Sequence, residues 1–266
     1  MRLSRSSRWT LVAVTSFILT IIYLPLAIVL LNSFNSSVNM DWPPPGFTLE
    51  WWQRAGQSSG LIDALMTSLL IAACSALIAL VLGTMLAMAL SRYKFFGKNA
   101  VSLMIILPIA LPGIVTGIAL NNAFRTLLGF QLSMATLVIA HATFCIVTVY
   151  NNALARLNRM GKSMEEASAD LGAGVFTTFR LVTLPQMLSA LVAGGLLAFG
   201  LSFDEIIVTT FTAGGGTETL PIWILNNMFR PGKAPIVDVV AVFMVLVSII
   251  PIYFAQRLTA QESRDN

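Results

Sequence analysis

The segment Ser163–Pro185 reads SMEEASADLGAGVFTTFRLVTLP and lies between two long apolar runs. It carries acids near its start, two glycines in its middle and a Leu-Pro pair at its end. The whole chain is 56% hydrophobic and only 11% charged, with a mean hydropathy of +0.81. Soluble domains carry about a quarter charged residues, so this composition excludes a soluble domain and predicts a protein that crosses a membrane several times. The quoted segment must then lie outside the membrane, where another molecule can contact it.

Apolar runs long enough to cross about 30 Å of hydrocarbon recur along the chain. They are continuous rather than alternating, which predicts helices, because an open sheet edge would leave backbone groups unsatisfied in lipid. We therefore predict an all-α polytopic membrane protein with a single transmembrane domain over residues 1–266. Its six helices are expected at about 9–31, 64–91, 100–120, 133–150, 187–207 and 236–256. A polar loop at 151–186 follows the fourth helix.

The sixteen Lys and Arg residues are distributed unevenly between the two sides of these helices. Twelve fall on one side and four on the other. The larger group consists of Arg2, Arg5, Arg8, Arg92, Lys94, Lys98, Arg156, Arg159, Lys162, Arg180, Arg257 and Arg264. Because basic residues in short loops favour the cytoplasm, both termini and the loop at 151–186 are predicted to be cytoplasmic. The net charge of +4 reflects this topology and implies no nucleic-acid partner.

Residue types that usually mark enzymes and metal sites are sparse. Cys74 and Cys145 fall inside apolar runs and are predicted to be buried thiols. His141 is the one histidine, and we expect a neutral, hydrogen-bonded ring between helices, with a protonation switch as the open alternative. No metal or cofactor site is predicted, because no His, Cys or carboxylate set has ligand spacing. No Ser-His-Asp or Cys-His arrangement suggests hydrolysis, so we predict that the chain is not an enzyme.

The quoted segment itself predicts two short helices separated by a bend. Ser163 and Glu166 have the spacing of a capping box, which would start the first helix with Ser163 as its cap. Gly172 and Gly174 supply the permissive backbone for the bend. Pro185 is expected to open the next transmembrane helix.

Two interpretations of this segment are open from periodicity alone. A connector that lies on the lipid surface would be rich in Lys and Arg, which suit anionic headgroups. Glu165, Glu166 and Asp170 cluster on the first helix instead. These acids favour docking of the helix in a groove of a soluble partner.

The segment also resembles the EAA loop of ABC-importer permeases. In that family the loop reads Glu-Ala-Ala, three residues, Gly, nine residues, Ile, any residue, Leu and Pro. Here Glu166, Ala167 and Ser168 are followed by Gly172 and by VTLP at 182–185. Serine stands for the second Ala and valine for the Ile, and both replacements are similar in size.

Three further runs carry the same resemblance. ILPIALPGIVTGIAL at 106–120, AHATFC at 140–145 and LSFDEIIVTTFTAG at 201–214 are similar to permeases of the spermidine/putrescine group. The resemblance therefore covers essentially the whole chain. It implies a type I, MetI-like ABC-importer permease in the bacterial inner membrane, with six helices and cytoplasmic termini.

The resemblance also implies a division of labour between subunits. The loop would dock in a cytoplasmic ATP-binding subunit and transmit its closure to the helices. The residues implied in coupling are Glu165, Glu166, Ala167, Ser168, Asp170, Gly172, Leu184 and Pro185. The chain has no P-loop, since the glycines of TAGGG precede no Lys-Ser/Thr, so ATP would bind elsewhere. Similar permeases work with two ATP-binding subunits, a second and usually non-identical permease, and a periplasmic binding protein.

Two acids near the outer end of the fifth predicted helix are the candidate cargo contacts. Asp204 lies about 28 Å along that helix from Pro185. A carboxylate there either faces a water-filled path for a cation or is an interfacial acid that pairs with Arg or caps the helix. Glu205 is the second candidate.

In the third helix, Pro108 and Pro112 are expected to produce kinks, either for gating or as a static feature of the bundle.

Polyamine is the expected cargo of such a permease. Within the same class, an amino-acid-like compound, an opine or iron is the alternative cargo. An ion-coupled secondary transporter is a more distant alternative, which would show charges at the membrane midplane and inverted repeats. An intramembrane enzyme would need a catalytic pair in one cavity. Only the importer requires that uptake fail when a separate ATP-binding subunit has an inactive P-loop.

Overall fold

A computed structural model describes residues 4–262, apart from the side chains of residues 5, 6 and 258–262. Arg2, Arg264 and the side chain of Arg5, which entered the charge count, lie outside the described part. The described residues form helices and one isolated β-bridge, so the all-α prediction is confirmed. The helices are α1 Arg5–Asn32, α2 Glu50–Gln57, α3 Ser59–Arg92, α4 Lys98–Ala110, α5 Gly113–Asn122, α6 Met134–Met160, α7 Ser163–Asp170, α8 Val175–Thr178, α9 Leu184–Phe203, α10 Ile207–Thr212, α11 Leu220–Asn227 and α12 Ala234–Glu262.

Five helical stretches within residues 4–262 are individually long and apolar enough to cross a membrane. They are Ser7–Asn32, Ser59–Arg92, Met134–Met160, Val175–Phe203 and Ala234–Arg257. A sixth span is formed only if α4 and α5 are taken together, and these two helices are bent by 108°. The third predicted helix, at 100–120, is therefore not one straight rod.

The break in this third span falls immediately before Pro112. Leu111 has an extended backbone with ψ 145°, and α5 begins at Gly113. A residue that precedes proline avoids the helical region because the proline ring clashes with its backbone, which explains why the break lies at Leu111. Pro108 lies inside α4, which continues past it to Ala110.

The fifth span begins earlier and ends earlier than the sequence predicts. It starts at Val175, passes through a π-helical turn at Phe179–Thr183 and continues to Phe203. Pro185 lies in the first turn of α9 as predicted, although the longer helical stretch that includes α9 already begins at Val175. The lost N–H of a proline is tolerated here because the wider π-helical turn already interrupts the regular backbone bonds. After Phe203 the helix breaks, and α10 resumes at Ile207.

One compact unit comprises residues up to 62 together with 223–246. Within it, the membrane-length window of α1 has no buried residues. The loop after α1 is fixed by the buried Trp51, whose Nε1 donates a hydrogen bond to the backbone oxygen of Asn35 at 2.7 Å. Phe34 stacks on Trp52 with 5.5 Å between the ring centroids.

The other compact unit comprises residues 63–222 together with the chain from 247 onward. In this unit α6 packs along α9, and α5 packs against α10. Small residues let the helices approach closely. A Cβ added at Gly83 would lie 2.9 Å from Val149 Cβ, so any larger residue there would push α3 away from α6. These contacts make α6 the central helix of the unit that carries both candidate sites.

Candidate functional site

The first helix of the polar loop, α7, begins one residue earlier than the capping-box pattern predicts. Lys162 occupies the cap position, and its backbone oxygen accepts a 2.9 Å hydrogen bond from the N–H of Glu166. Ser163 is already helical, so its hydroxyl cannot cap the helix. The predicted capping box is therefore wrong, although a helix does begin at this point.

The end of α7 is closed by a Schellman motif around Gly172. The N–H of Ala173 donates to Ser168 O at 3.1 Å, and the N–H of Gly172 donates to Ala169 O at 2.8 Å. Gly172 has φ +84°, a conformation that favours glycine. Gly174, in contrast, has an ordinary φ of −71° and caps α8. Only the first of the two predicted glycines makes the bend.

The inner face of α7 is fastened to its own chain by Glu165. Arg92, the last residue of α3, contacts both carboxylate oxygens: Nε lies 2.8 Å from Oε2 and Nη2 lies 2.9 Å from Oε1. Thr183, in the π-helical turn before α9, donates to Oε1 at 3.0 Å. The side chains of Arg92 and Glu165 are only 13% and 20% exposed. One carboxylate thus connects α7 to the end of α3 and to the start of the fifth span.

A second inner contact lies one turn further along α7. The hydroxyls of Ser168 and Thr178 are 3.0 Å apart and share a hydrogen bond. This contact joins α7 to α8, which leads into the fifth span. Residues three apart on a helix share a face, so Glu165 and Ser168 both lie on the inner face of α7.

The opposite face of α7 is exposed and mixes acidic with apolar groups. Its exposed residues are Ser163, Glu166, Ala167 and Asp170. Beyond the helix, Leu171 is 89% exposed, and Val175 and Phe176 are 75% and 74% exposed. Acidic and apolar side chains are therefore open to solvent on α7 and just beyond its end.

The eight residues implied in coupling therefore have different positions. Glu165 and Ser168 are anchors within the chain, whereas Glu166, Ala167, Asp170 and Gly172 are exposed. Leu184 and Pro185 lie in the first turn of α9. The sequence interpretation missed Arg92 and Thr183, and the signal that could have found Arg92 is that it is the first basic residue after a long apolar span.

We expect Arg92→Ala to lower uptake by the assembled transporter about tenfold, because a largely buried carboxylate would lose its partner and α7 would lose its link to α3. The measurement is initial uptake rate per assembled complex. The double charge exchange Arg92→Glu with Glu165→Arg should recover part of the rate. Glu50→Gln, which removes the exposed Glu50–Arg54 pair, is the matched control and should leave uptake unchanged. Full uptake by Arg92→Ala would show that the Arg92–Glu165 pair does not link α7 to α3 during transport.

The two candidate cargo acids lie in the break between α9 and α10. Glu205 Oε1 accepts a 2.8 Å hydrogen bond from the N–H of Val208, so this carboxylate caps α10. Asp204 is exposed, and its backbone N–H bonds to Gly200 O at 3.4 Å. The capping alternative therefore describes Glu205, and Asp204 is the acid whose side chain is open to a ligand.

The break in the third span lies beside the break in the fifth. A Cβ added at Gly113 would lie 3.4 Å from Ile207, and one added at Gly117 would lie 2.8 Å from the ring of Phe211. Asn121 Nδ2 also donates a hydrogen bond to the backbone oxygen of Phe211. α5 and α10 thus form one packed pair. The gating role of Pro108 and Pro112 stays a prediction.

Comparison with known proteins identifies the class. The family model for the binding-protein-dependent transport system inner membrane component matches residues 79–265. The chain belongs to this family. The match includes α7, its anchors and both breaks, so the candidate coupling residues and the candidate cargo acids lie in the part of this permease that the family model matches.

Individual relatives agree with the family match. The permease is 36% identical over 246 residues to the spermidine/putrescine transport system permease protein PotC of Escherichia coli (strain K12), covering 92% of each chain. It is 34% identical over 257 residues to the putrescine transport system permease protein PotI of the same strain, covering 92% of this chain and 90% of PotI. The crystal structure of a bacterial alginate ABC transporter in complex with an alginate pentasaccharide-bound periplasmic protein has a chain with TM-score 0.72, 15% identity and 96% coverage of both chains.

These findings confirm the family, the fold class and the inner-membrane location predicted from the sequence. The permease is a transmembrane component of an ABC importer, and its transport depends on a binding protein. Among the described residues, no group of three or more His, Cys, Asp and Glu residues is placed to hold a metal ion.

Proposed function

We propose that this permease forms the translocation pathway of an ATP-driven importer for polyamines of the spermidine and putrescine type. The observation that carries the proposal is the similarity to PotC and PotI along nearly the full length of all three chains. The exposed carboxylate of Asp204 supports it, because a fixed carboxylate pairs well with an ammonium group that has lost part of its water.

The partners follow from the same proposal. Two ATP-binding subunits lie on the cytoplasmic side, a second and non-identical permease completes the pathway, and a periplasmic binding protein delivers the cargo. The chain binds no ATP itself and has no P-loop in its sequence. The exposed acids and apolar groups of the outer face of α7 suit a groove on an ATP-binding subunit.

The anchors of α7 provide the mechanical link in this scheme. Movement of an ATP-binding subunit displaces the outer face of α7. Glu165 passes the displacement to Arg92 at the end of α3 and to Thr183 at the start of α9. A charge-assisted hydrogen bond within an ion pair resists stretching better than a single neutral bond. Two membrane spans are thereby moved together by one short helix.

The cargo proposal predicts a specific effect of Asp204→Asn. Removal of the negative charge, with the shape kept, should raise the KM for spermidine about tenfold or more and leave assembly unchanged, because the amide no longer pairs with an ammonium group. Uptake of labelled spermidine by proteoliposomes that contain the complete complex measures this. Glu205→Gln, whose side chain caps α10, keeps an acceptor oxygen for Val208 and should have a smaller effect. An unchanged KM in Asp204→Asn would show that the Asp204 carboxylate does not contact the cargo.

The experiment that tests the function uses the same proteoliposomes with the wild-type permease. Labelled putrescine and spermidine should enter only with ATP and the binding protein, and entry should stop when the ATP-binding subunit has an inactive P-loop. If ATP drives uptake of an amino-acid-like compound, an opine or iron but not of polyamine, the cargo proposal is wrong and the importer class stands. Uptake driven by an ion gradient without ATP would favour a secondary transporter.

A further inference from the structure

His141 lies in α6 beside the break in the fifth span and contacts both sides of that break. Its ring is buried, with Nδ1 2.8 Å from the hydroxyl oxygen of Ser202 in α9 and Nε2 2.9 Å from that of Thr209 in α10. The predicted hydrogen-bonded position between helices is confirmed. The two contacts place one side chain across the segment that carries Asp204 and Glu205.

The direction of these hydrogen bonds follows from Thr209. Its hydroxyl donates to Glu205 O at 2.9 Å, which uses its one hydrogen. Thr209 therefore accepts from Nε2–H of His141. Nδ1 of a neutral ring then accepts from the hydroxyl of Ser202. A directed chain runs from Ser202 through the ring to Thr209 and on to the backbone of Glu205.

The geometry requires the helix to be broken. Ser202 and Thr209 are seven residues apart, which in a continuous α-helix separates them by about 10.5 Å along the axis. One imidazole with a hydrogen bond at each nitrogen links oxygens no more than about 8 Å apart. The ring can therefore bond to both hydroxyls only while α9 and α10 are separated by the break. A straight fifth span would lose one of the two bonds.

Cys145 and Thr136 of α6 also form hydrogen bonds in this region, but each of them bonds to only one of the two helices. On the α9 side, Cys145 Sγ donates to Ala198 O at 3.3 Å, four residues from the Ser202 contact in both helices. On the α10 side, Thr136 Oγ1 lies 3.4 Å from Thr212 O. Each of these residues bonds to one side of the break, whereas His141 bonds to both. The His141 ring is thus the contact through which α6 sets the position of α10 relative to α9.

We propose that His141 is a positioning residue that holds the fifth span in its broken form and so fixes the placement of Asp204 and Glu205. A contact that exists in one conformation and not in the other shifts the equilibrium toward the first. Loss of the ring leaves the break free to change its angle. The consequence for cargo affinity rests on the proposed function, whereas the consequence for the geometry of the break does not.

The kinetic test uses variants that keep one bond each. Asn at position 141 places its amide near Nδ1 and can bond to Ser202, and Gln places its amide near Nε2 and can bond to Thr209. We expect H141L to raise the KM for spermidine uptake about tenfold, and H141N and H141Q to raise it about threefold. T209V should raise the KM in the wild-type background and add nothing in H141N, which already lacks that bond.

The geometric test needs no cargo. Spin labels at the exposed positions Leu201 and Thr210, in a Cys74→Ala and Cys145→Ser background, report the distance across the break in the reconstituted complex. We expect one narrow distribution with His141 and a broader or shifted one in H141L. If H141L fails to assemble, the same distance measurement is made in H141N and H141Q, and a broader or shifted distribution is expected there too.

Unchanged distances and an unchanged KM in all three His141 variants would overturn the proposal, even if the amount of assembled complex falls. That result would leave His141 as a packing residue only. If the wild-type complex does not transport polyamine, the proposed cargo fails, and the spin-label distances still decide whether His141 holds the break.

Discussion

Glu166→Lys is expected to reduce ATP-driven uptake to background while the permease still inserts and assembles in the membrane. Glu166 is exposed on the outer face of α7, and the anchors of α7 are made by Glu165 and Ser168, so the change leaves these anchors intact. Reversal of its charge places a cation where the partner groove is proposed to receive an acid, and juxtaposed like charges at an interface cost several kcal/mol. The measurement is uptake rate at equal permease content.

The matched control for this variant is Glu50→Lys. Glu50 is also an exposed acid in the first turn of a helix, but it lies in α2, outside the coupling loop. Uptake in this control should stay near the wild-type rate. Normal uptake by Glu166→Lys would show that the outer face of α7 does not couple the permease to ATP, and the assignment of this surface would be wrong.

Gly172→Leu is expected to abolish uptake through the backbone. Gly172 has φ +84°, and a residue with a Cβ costs about 1–2 kcal/mol in this region. The two hydrogen bonds that close α7 depend on this conformation. α7 is only eight residues long, and isolated helices of this length are unstable, so loss of its closure should disorder the outer face. Uptake and ATP hydrolysis by the reconstituted complex together measure the loss of coupling.

Gly174→Leu separates this backbone effect from the effect of added bulk. Gly174 lies two residues further along the same loop, has an ordinary φ of −71°, and like Gly172 has open space around its Cβ position. This control should retain most of the wild-type uptake. Equal loss in both variants would mean that the loop rejects any bulky residue, and the argument from φ would fail.

The spans of this permease are predictable from sequence because burial in lipid needs only a continuous apolar run. The breaks are harder to predict. The one at Leu111 has a local cause, since Pro112 restricts the residue before it. The break after Phe203 has no proline within it and depends on hydrogen bonds between Ser202, Thr209 and a histidine more than sixty positions earlier in the chain. Such a cause is not visible in a local pattern.

The coupling loop shows a similar division between local and distant causes. The motif and its acids identify the segment, and Gly172 makes the predicted bend. Which acid faces inward was not predictable, because Glu165 is selected by Arg92, 73 positions away. The capping box failed for a smaller reason: the turn after α6 starts α7 one residue early, and a shift of one position removes Ser163 from the cap.

The most direct test of the central claim is a contact measurement at Ala167. A photo-crosslinking amino acid at this exposed position on the outer face of α7 should link the permease to the ATP-binding subunit in membranes of cells that express the whole complex. The same amino acid at Gln53, an exposed position in α2 on the predicted outer side of the membrane, should give no such product. Absence of the ATP-binding subunit from the Ala167 product, or equal amounts from both positions, would contradict the claim that α7 couples this permease to ATP.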